Sequence, residues 1–258
     1  MEEMDTEIEE LAQVLVHRLD STPPHLRLLI GIAGIPASGK STFAKFLTDR
    51  VNSLLREQGL ERPRESSAGL PTHAQPRHTK SERAILVGLD GWHLTRAQLD
   101  AFPDPKLAHD RRGIHWTFDG ESYVNFVRQL RGPITSTMDV IRAPSFDHAL
   151  KDPTPDAVLI QPYHRVVIVE GLYAFLSITP WKEAGALLDE RWYIKVDPVE
   201  ARRRLVVRHV LTGVAKDMKE AEWRADENDG PNGLFIIENL LEPTRTITST
   251  ELPVSLLD

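Results

Sequence analysis

The stretch that decides the fold is "LRLLIGIAGIPASGKSTFAKFL", Leu26–Leu47. It opens with an apolar run, Arg27 to Ala33, short enough and followed closely enough by glycine to be a fully buried strand of a parallel sheet. It closes on Phe43, Phe46, Leu47, Val51, Leu54 and Leu55, which recur at the 3.6-residue helical period up to a stop at Gly59. Between them, Gly34, Gly39, Lys40 and Ser41 fill G-x-x-x-x-G-K-[ST] without a departure. Glycines at these places let successive backbone N–H groups curl around phosphate oxygens, and the helix N-terminus adds positive potential. The run Gly34, Ile35, Pro36, Ala37, Ser38, Gly39, Lys40, Ser41 and Thr42 is therefore read as a nucleotide cradle. Lys40 reaches the β/γ phosphates, and the Ser41 hydroxyl is placed for Mg²⁺.

The rest of the chain reads as more of the same architecture. "AILVGLDGWH" and "RVVIVEGLY" are further buried strands, ending at Asp90 and at Glu170; "RWYIKV" (Arg191–Val196) is a fourth and "TRTITS" a weaker fifth. Strands separated by helical patterns imply an open, mainly parallel α/β sheet covered by helices that gathers ligands at the strands' carboxyl ends. Each strand-end acid is placed either to hold magnesium or to accept the proton of an attacking hydroxyl. Ile8, Leu11, Leu15 and Leu19 mark an N-terminal amphipathic helix within residues 1–22, ending before Pro23 and Pro24. "ERPRESSAGLPTHAQPRHTKSE" has no periodicity and is expected to be a mobile surface insertion, bounded at 60–83, in one domain spanning 1–258.

Composition narrows the function. A chain of 258 residues, 41% hydrophobic, is long enough for a full core, and its net charge of -7 disfavours a nucleic-acid binder. No cysteine is present, so there is neither a disulfide framework nor a thiolate site. The acidic N-terminal segment lacks signal-peptide character and no run reaches the roughly 20 apolar residues that span a bilayer, so a cytoplasmic protein away from membranes is expected. The spacing of His109 and His115 matches no zinc pattern. In "DPVEARRRLVVRHVLTG", Arg204 and Arg208 are four apart and share a helix face suited to clamping a phosphate, with Gly213 ending the helix.

The chain resembles the P-loop kinase family that contains uridine kinases, phosphoribulokinases and bacterial-type pantothenate kinases, and within it nucleoside-kinase-like members, fungal ATP-dependent kinases among them. The resemblance rests on "GIPASGKST", "DGWH", "RRGIHWTFD", "APSFDHALKDP", "VEGLY" and "RRRLVVRHVLTG" followed by "NDGPNG". It implies a doubly wound sheet with a helical lid over 198–232, ATP as phosphate donor and a small-molecule hydroxyl, nucleoside-like or vitamin-like, as acceptor. It places Asp90 as general base with Lys40 at the transferring phosphate, and Ser41, Asp90 and Glu170 around the magnesium. Arg204 and Arg208 would meet ATP from the lid. His93, Arg112, Phe118, Arg142, Asp147 and Tyr173 lie in or beside the family-like stretches and are the candidates for the acceptor side. The competing expectation is a P-loop ATPase with a partner-linked or regulatory role; a guanine-specific switch is disfavoured because no N-K-x-D motif is present.

Overall fold

A computed structural model describes residues 2–61, 83–135, 137–147 and 150–249. The expected insertion lies almost wholly outside the described residues, as does His148 of the "APSFDHALKDP" stretch. The strands are β1 (Leu28–Gly34), β2 (Ala84–Gly88), β3 (Ile141–Asp147), β4 (Asp152–Ile160), β5 (Val166–Glu170), β6 (Glu190–Lys195) and β7 (Arg245–Thr248). Five of them form a sheet in the order β2-β5-β1-β6-β7, and every pairing in it is parallel.

Both faces of the sheet are covered, which explains the near-continuous apolar runs. Leu28, Ile30, Ile32, Val166 and Ile168 point to α1 (Glu2–Ser21) and α2 (Lys40–Glu61), where they meet Leu11, Leu15, Phe43 and Leu47. The alternate residues Leu29, Ala33, Val167 and Val169 point to the other core. The short helices α3 (Arg96–Asp100) and α4 (Pro105–Asp110) precede α5 (Gly120–Arg131), and α6 (Trp181–Leu187) packs beside it. Tyr123, Val127 and Leu130 of α5 and Trp181 of α6 build that second core. The side-chain oxygen of Asp119 accepts from Ser122 N (3.0 Å) to cap α5.

Beyond β6, α7 (Pro198–Leu211) starts from Asp197, whose carboxylate accepts from Val199 N (2.9 Å). It ends just before Gly213, whose φ of +68° is a conformation that glycine adopts without strain. α8 (Met218–Arg224), a π-helical turn Ala225–Asp229 and α9 (Gly230–Glu238) follow without a break. A small core of Leu205, Val206, Ala215, Ala221 and Ala225 joins this helical segment to Ala37.

Three local expectations are corrected. α2 runs on to Glu61, so Gly59 does not stop it. A glycine costs a helix about 1 kcal/mol, and nothing within 4 Å of Gly59 adds a further constraint. The second strand ends at Gly88, and Asp90 sits in the single 3₁₀ turn Leu89–Trp92 that follows, a turn closed by His93 N donating to Asp90 O (3.1 Å). Finally, β3 and β4 pair antiparallel as a separate two-stranded sheet that the sequence patterning does not announce. Pro144, Pro153 and Pro155 argue against strands in a sheet interior, but in a two-stranded ribbon every strand is an edge, and a register shift between Ala143 and Ser145 absorbs Pro144.

Leu15 is fully buried between α1 and the sheet. Leu15→Ala is expected to lower unfolding free energy by about 2–5 kcal/mol in urea melts. At the opposite end of the sheet from Gly34, Arg27 is buried and donates to His164 O (3.2 Å) and Leu130 O (3.4 Å). Burial, reinforced by Arg27, holds the His164 imidazole down at about 4, and its Nδ1 accepts from Gln161 N (3.0 Å) only while unprotonated. An unfolded histidine titrates near 6.5, so this contribution to stability is complete above about pH 6.5 and is lost as pH falls from there toward about 4. His164→Asn, which keeps an acceptor for Gln161 N, is expected to show a smaller drop in urea midpoint than wild type between about pH 7.5 and about pH 5.

Candidate active site

The carboxyl edge of the sheet brings the two acids and the glycine loop together by register alone. Glu170, the last residue of β5, lies opposite Ile32 of β1 on one side and Gly88 of β2 on the other. Gly34 thus ends the central strand next to Glu170, and Asp90 emerges two residues beyond Gly88. The loop after β1 folds back tightly on its own strand: a Cβ on Gly34 would fall 2.4 Å from Ser38 Oγ and 2.9 Å from Ile194 O. Ala37 (φ 60°) and Gly39 (φ 86°) turn the backbone left-handed before α2 begins at Lys40, the kind of turn that forms an anion-binding nest. Ser38 Oγ is fully buried without a hydrogen-bond partner among the described residues. A tight loop holding an unpaired buried hydroxyl at a helix N-terminus fits a phosphate.

The charges around it are interdependent. Burial pulls the Lys40 ammonium below its ordinary range, Glu170 and Asp90 push it back up, and Arg208 pulls it down again. Burial raises the Glu170 carboxyl, opposed chiefly by Lys40. Ser41 Oγ donates to Glu170 Oε2 (3.1 Å), so the hydroxyl and the carboxylate converge on one point. Hydroxyl, carboxylate and nucleotide phosphates are the usual donors of a magnesium ion in such a site, and this convergence fits one. Asp90 is the open member, with its side chain 46% exposed and Oδ1 4.0 Å from His93 Nδ1.

The remaining expected residues divide sharply. Arg208 approaches the site: burial lowers its guanidinium, while Asp229 and Asp90 raise it. Arg204 is buried, giving Nε to Glu200 (2.7 Å) and Nη1 to Ser249 (2.9 Å), so the face it shares with Arg208 is occupied by a protein carboxylate and hydroxyl. Phe118 belongs to the core, against His93 (ring centroids 3.9 Å) and Tyr173 (5.1 Å). Tyr173 is fully buried, with Oη 2.7 Å from Gly113 O and 2.8 Å from Asn232 Oδ1. Arg112 donates to Leu94 O (2.8 Å), Asp152 Oδ1 (2.9 Å) and Lys151 O, and lies over the Phe146 ring. Asp147 shapes the β3–β4 turn, Oδ1 accepting from Leu150 N (3.0 Å) and its carbonyl from Lys151 N (2.7 Å). Arg142 is exposed on β3. His93, 12% exposed and hydrogen-bonded through Nδ1 to Asp90 O (2.8 Å), stands directly beside Asp90, which also acts on the buried Tyr173 hydroxyl.

Two residues absent from the expected set join it. Asp229, in the π-helical turn, is pushed up to about 6 by burial against the pull of Arg208 and Arg224, and its Oδ2 is 3.5 Å from His209 Nε2. Asn232 touches Tyr173 from α9. Both fall in "NDGPNG", a stretch whose polar-rich composition marked it without telling which members face inward.

This arrangement, a glycine loop on the central strand of a parallel sheet with one acid ending the neighbouring strand β5 and a second in the turn just beyond β2, defines a P-loop phosphate-binding protein. The chain is 50% identical over 153 residues to the "ATP-dependent kinase-like protein notR'" of Aspergillus versicolor, an alignment covering 59% of this chain and 89% of that one. It is 34% identical over 217 residues to a Schizosaccharomyces pombe protein named "Putative uridine kinase C227.14", covering 84% and 81%. The solved structure of Saccharomyces cerevisiae YFH7, described as "a putative P-loop containing kinase with a circular permutation", superposes with a TM-score of 0.79 at 24% identity over 96% of this chain and 99% of that one, a likeness of fold. No family model matches the sequence. The protein belongs to the ATP-dependent kinase-like family of P-loop proteins.

Because a Gly34 side chain would collide with the loop it starts, Gly34→Ala is expected to abolish the rise in melting temperature that Mg·ATP gives wild type in a thermal-shift assay. The variant's own melting temperature reads the effect on folding separately.

Proposed function

We propose that the protein transfers the γ-phosphate of ATP to a hydroxyl of a small nucleoside-like or vitamin-like acceptor. The observation that carries this reading is the convergence of Lys40, Glu170, Asp90 and Arg208 beside the glycine loop, with the Asp90 side chain 46% exposed. A hydrolytic site needs only to orient water. An exposed carboxylate beside a nearly buried histidine instead offers a proton acceptor to a group that arrives from outside.

In this reading the loop N–H groups and Lys40 hold the donor phosphates, and Arg208 approaches the transferring group from α7. Asp90 takes the proton of the acceptor hydroxyl as that oxygen bonds to the γ-phosphorus and the bond to the β-phosphate oxygen breaks, leaving ADP. Magnesium, held by Ser41 and Glu170 with Asp90 nearby, supplies charge neutralisation on the phosphate oxygens. The residues contribute positioning and fixed charge in a partly dehydrated cleft, which is where most of the rate of phosphoryl transfer originates. Residues 198–232 act as a lid that brings Arg208 to the nucleotide. Arg204, tied to Glu200 and Ser249, steadies the helix that carries Arg208 rather than touching the nucleotide. On the acceptor side, His93 and Asp147 are proposed to meet the acceptor, while Arg112, Phe118 and Tyr173 shape its walls, and Arg142 stands at the rim.

Asp90→Asn is expected to lower turnover by about 10²–10⁴-fold while changing nucleotide affinity little. The measurement is phosphorylated product formed from ATP across a panel of nucleosides, vitamins and sugars. Undiminished transfer by the variant would remove Asp90 from the base role, and ATP loss indifferent to every acceptor would favour an ATPase.

A further inference from the structure

α9 touches both halves of the site. On one side its backbone lies against the start of the phosphate loop: a Cβ on Gly233 would sit 3.6 Å from Ile35 Cβ and 3.9 Å from Pro36 Cδ. Ile236, one turn on, is fully buried in the same core as Ile35. From the adjoining position Asn232 reaches the opposite way, with Oδ1 2.8 Å from Tyr173 Oη and Nδ2 3.5 Å from Gly113 O. Tyr173 Oη is itself 2.7 Å from Gly113 O. The Phe235 ring stacks on His115 at 4.6 Å with 10° between the planes. Just upstream, Arg111 donates to Glu227 O in the π-helical turn. The loop 111–118 is thereby held from the α9 side at Arg111, Gly113 and His115, and from the β3–β4 side by Arg112.

A packed helix moves as a unit, so a shift of Ile35 and Pro36 on phosphate binding that moves Gly233 also moves Asn232 and Phe235. We propose that α9 transmits nucleotide occupancy of the phosphate loop to the acceptor-side loop 111–118, with Asn232 and Phe235 as the positioning residues that make the connection. The inference rests on the nucleotide-binding reading above and adds to it a coupling between the two sides of the site: donor occupancy orders the loop proposed to face the acceptor, and by linkage an acceptor on that loop strengthens donor binding by the same factor.

The test is hydrogen exchange on the full chain with and without Mg·AMP-PNP, read in peptides covering 34–42 and 111–118. In wild type both peptides are expected to exchange severalfold more slowly with nucleotide. In Asn232→Ala the slowing in 34–42 is expected to persist and that in 111–118 to be lost; Tyr173 Oη keeps Gly113 O as a partner there, so the fold is retained. Phe235→Ala provides an independent second variant with the same expectation, and melting curves of both check folding. Slowing of 34–42 without slowing of 111–118 in wild type would overturn the coupling alone, as would slowing of 111–118 that survives in both variants. No slowing of 34–42 in wild type would contradict nucleotide binding itself, and the coupling with it.

Discussion

The site depends on one constraint of the sheet: β5 lies between β1 and β2, in a register that sets Glu170 opposite Ile32 and Gly88. With that register, an anion stands beside the loop that ends β1 and a second anion leaves the next strand. Lys40 then sits between them, its charge favoured by two carboxylates and disfavoured by burial and by Arg208. Two cations and two anions sharing a partly dehydrated edge are poorly solvated as they stand. Phosphate groups would offer partners to the cations and a metal to the anions, which is the electrostatic ground for the proposed Mg·ATP reading.

The opposite end of the sheet shows what a purely structural cation looks like in the same protein. Arg27 is buried and gives its hydrogen bonds to the carbonyls of His164 and Leu130 and to the Met138 sulfur, groups the fold itself supplies. Arg204 does the same with Glu200 and Ser249. Arg208, one turn away on α7, is held among the described residues by the charges of Asp229 and Asp90. Identical side chains therefore carry different work according to whether the fold has already supplied their acceptors.

This difference separates what could be read from the chain and what could not. The glycine loop was legible because its chemistry is local: a strand, four residues and a helix contain the whole cradle. The buried strands were legible because both sheet faces are covered, so β1 and β5 are apolar without alternation. The β3–β4 ribbon was not, since Pro144, Pro153 and Pro155 speak against strands everywhere except at edges. On the acceptor side, residue type alone could not distinguish an arginine that reads a ligand from Arg112, which holds Leu94 O and Asp152. Nor could it distinguish a stacking ring from Phe118, which fills the core. Asn232 and Asp229 escaped notice because Asn232 takes its role from Tyr173 and Gly113, 59 and 119 residues away, and Asp229 from one turn of π-helix.

The central claim is that Lys40, Glu170, Asp90 and Arg208 address one transferring phosphate, and a crystal structure with Mg·AMP-PNP tests it most directly. The expected result places the γ-phosphate in hydrogen-bond reach of Lys40 Nζ and the Arg208 guanidinium, with the metal against Ser41 Oγ and Asp90 open toward the far side of the γ-phosphorus. A nucleotide bound away from the Gly34–Thr42 loop, or bound there with Arg208 still turned to Asp229 and Asp90 facing away from the γ-phosphate, would contradict it.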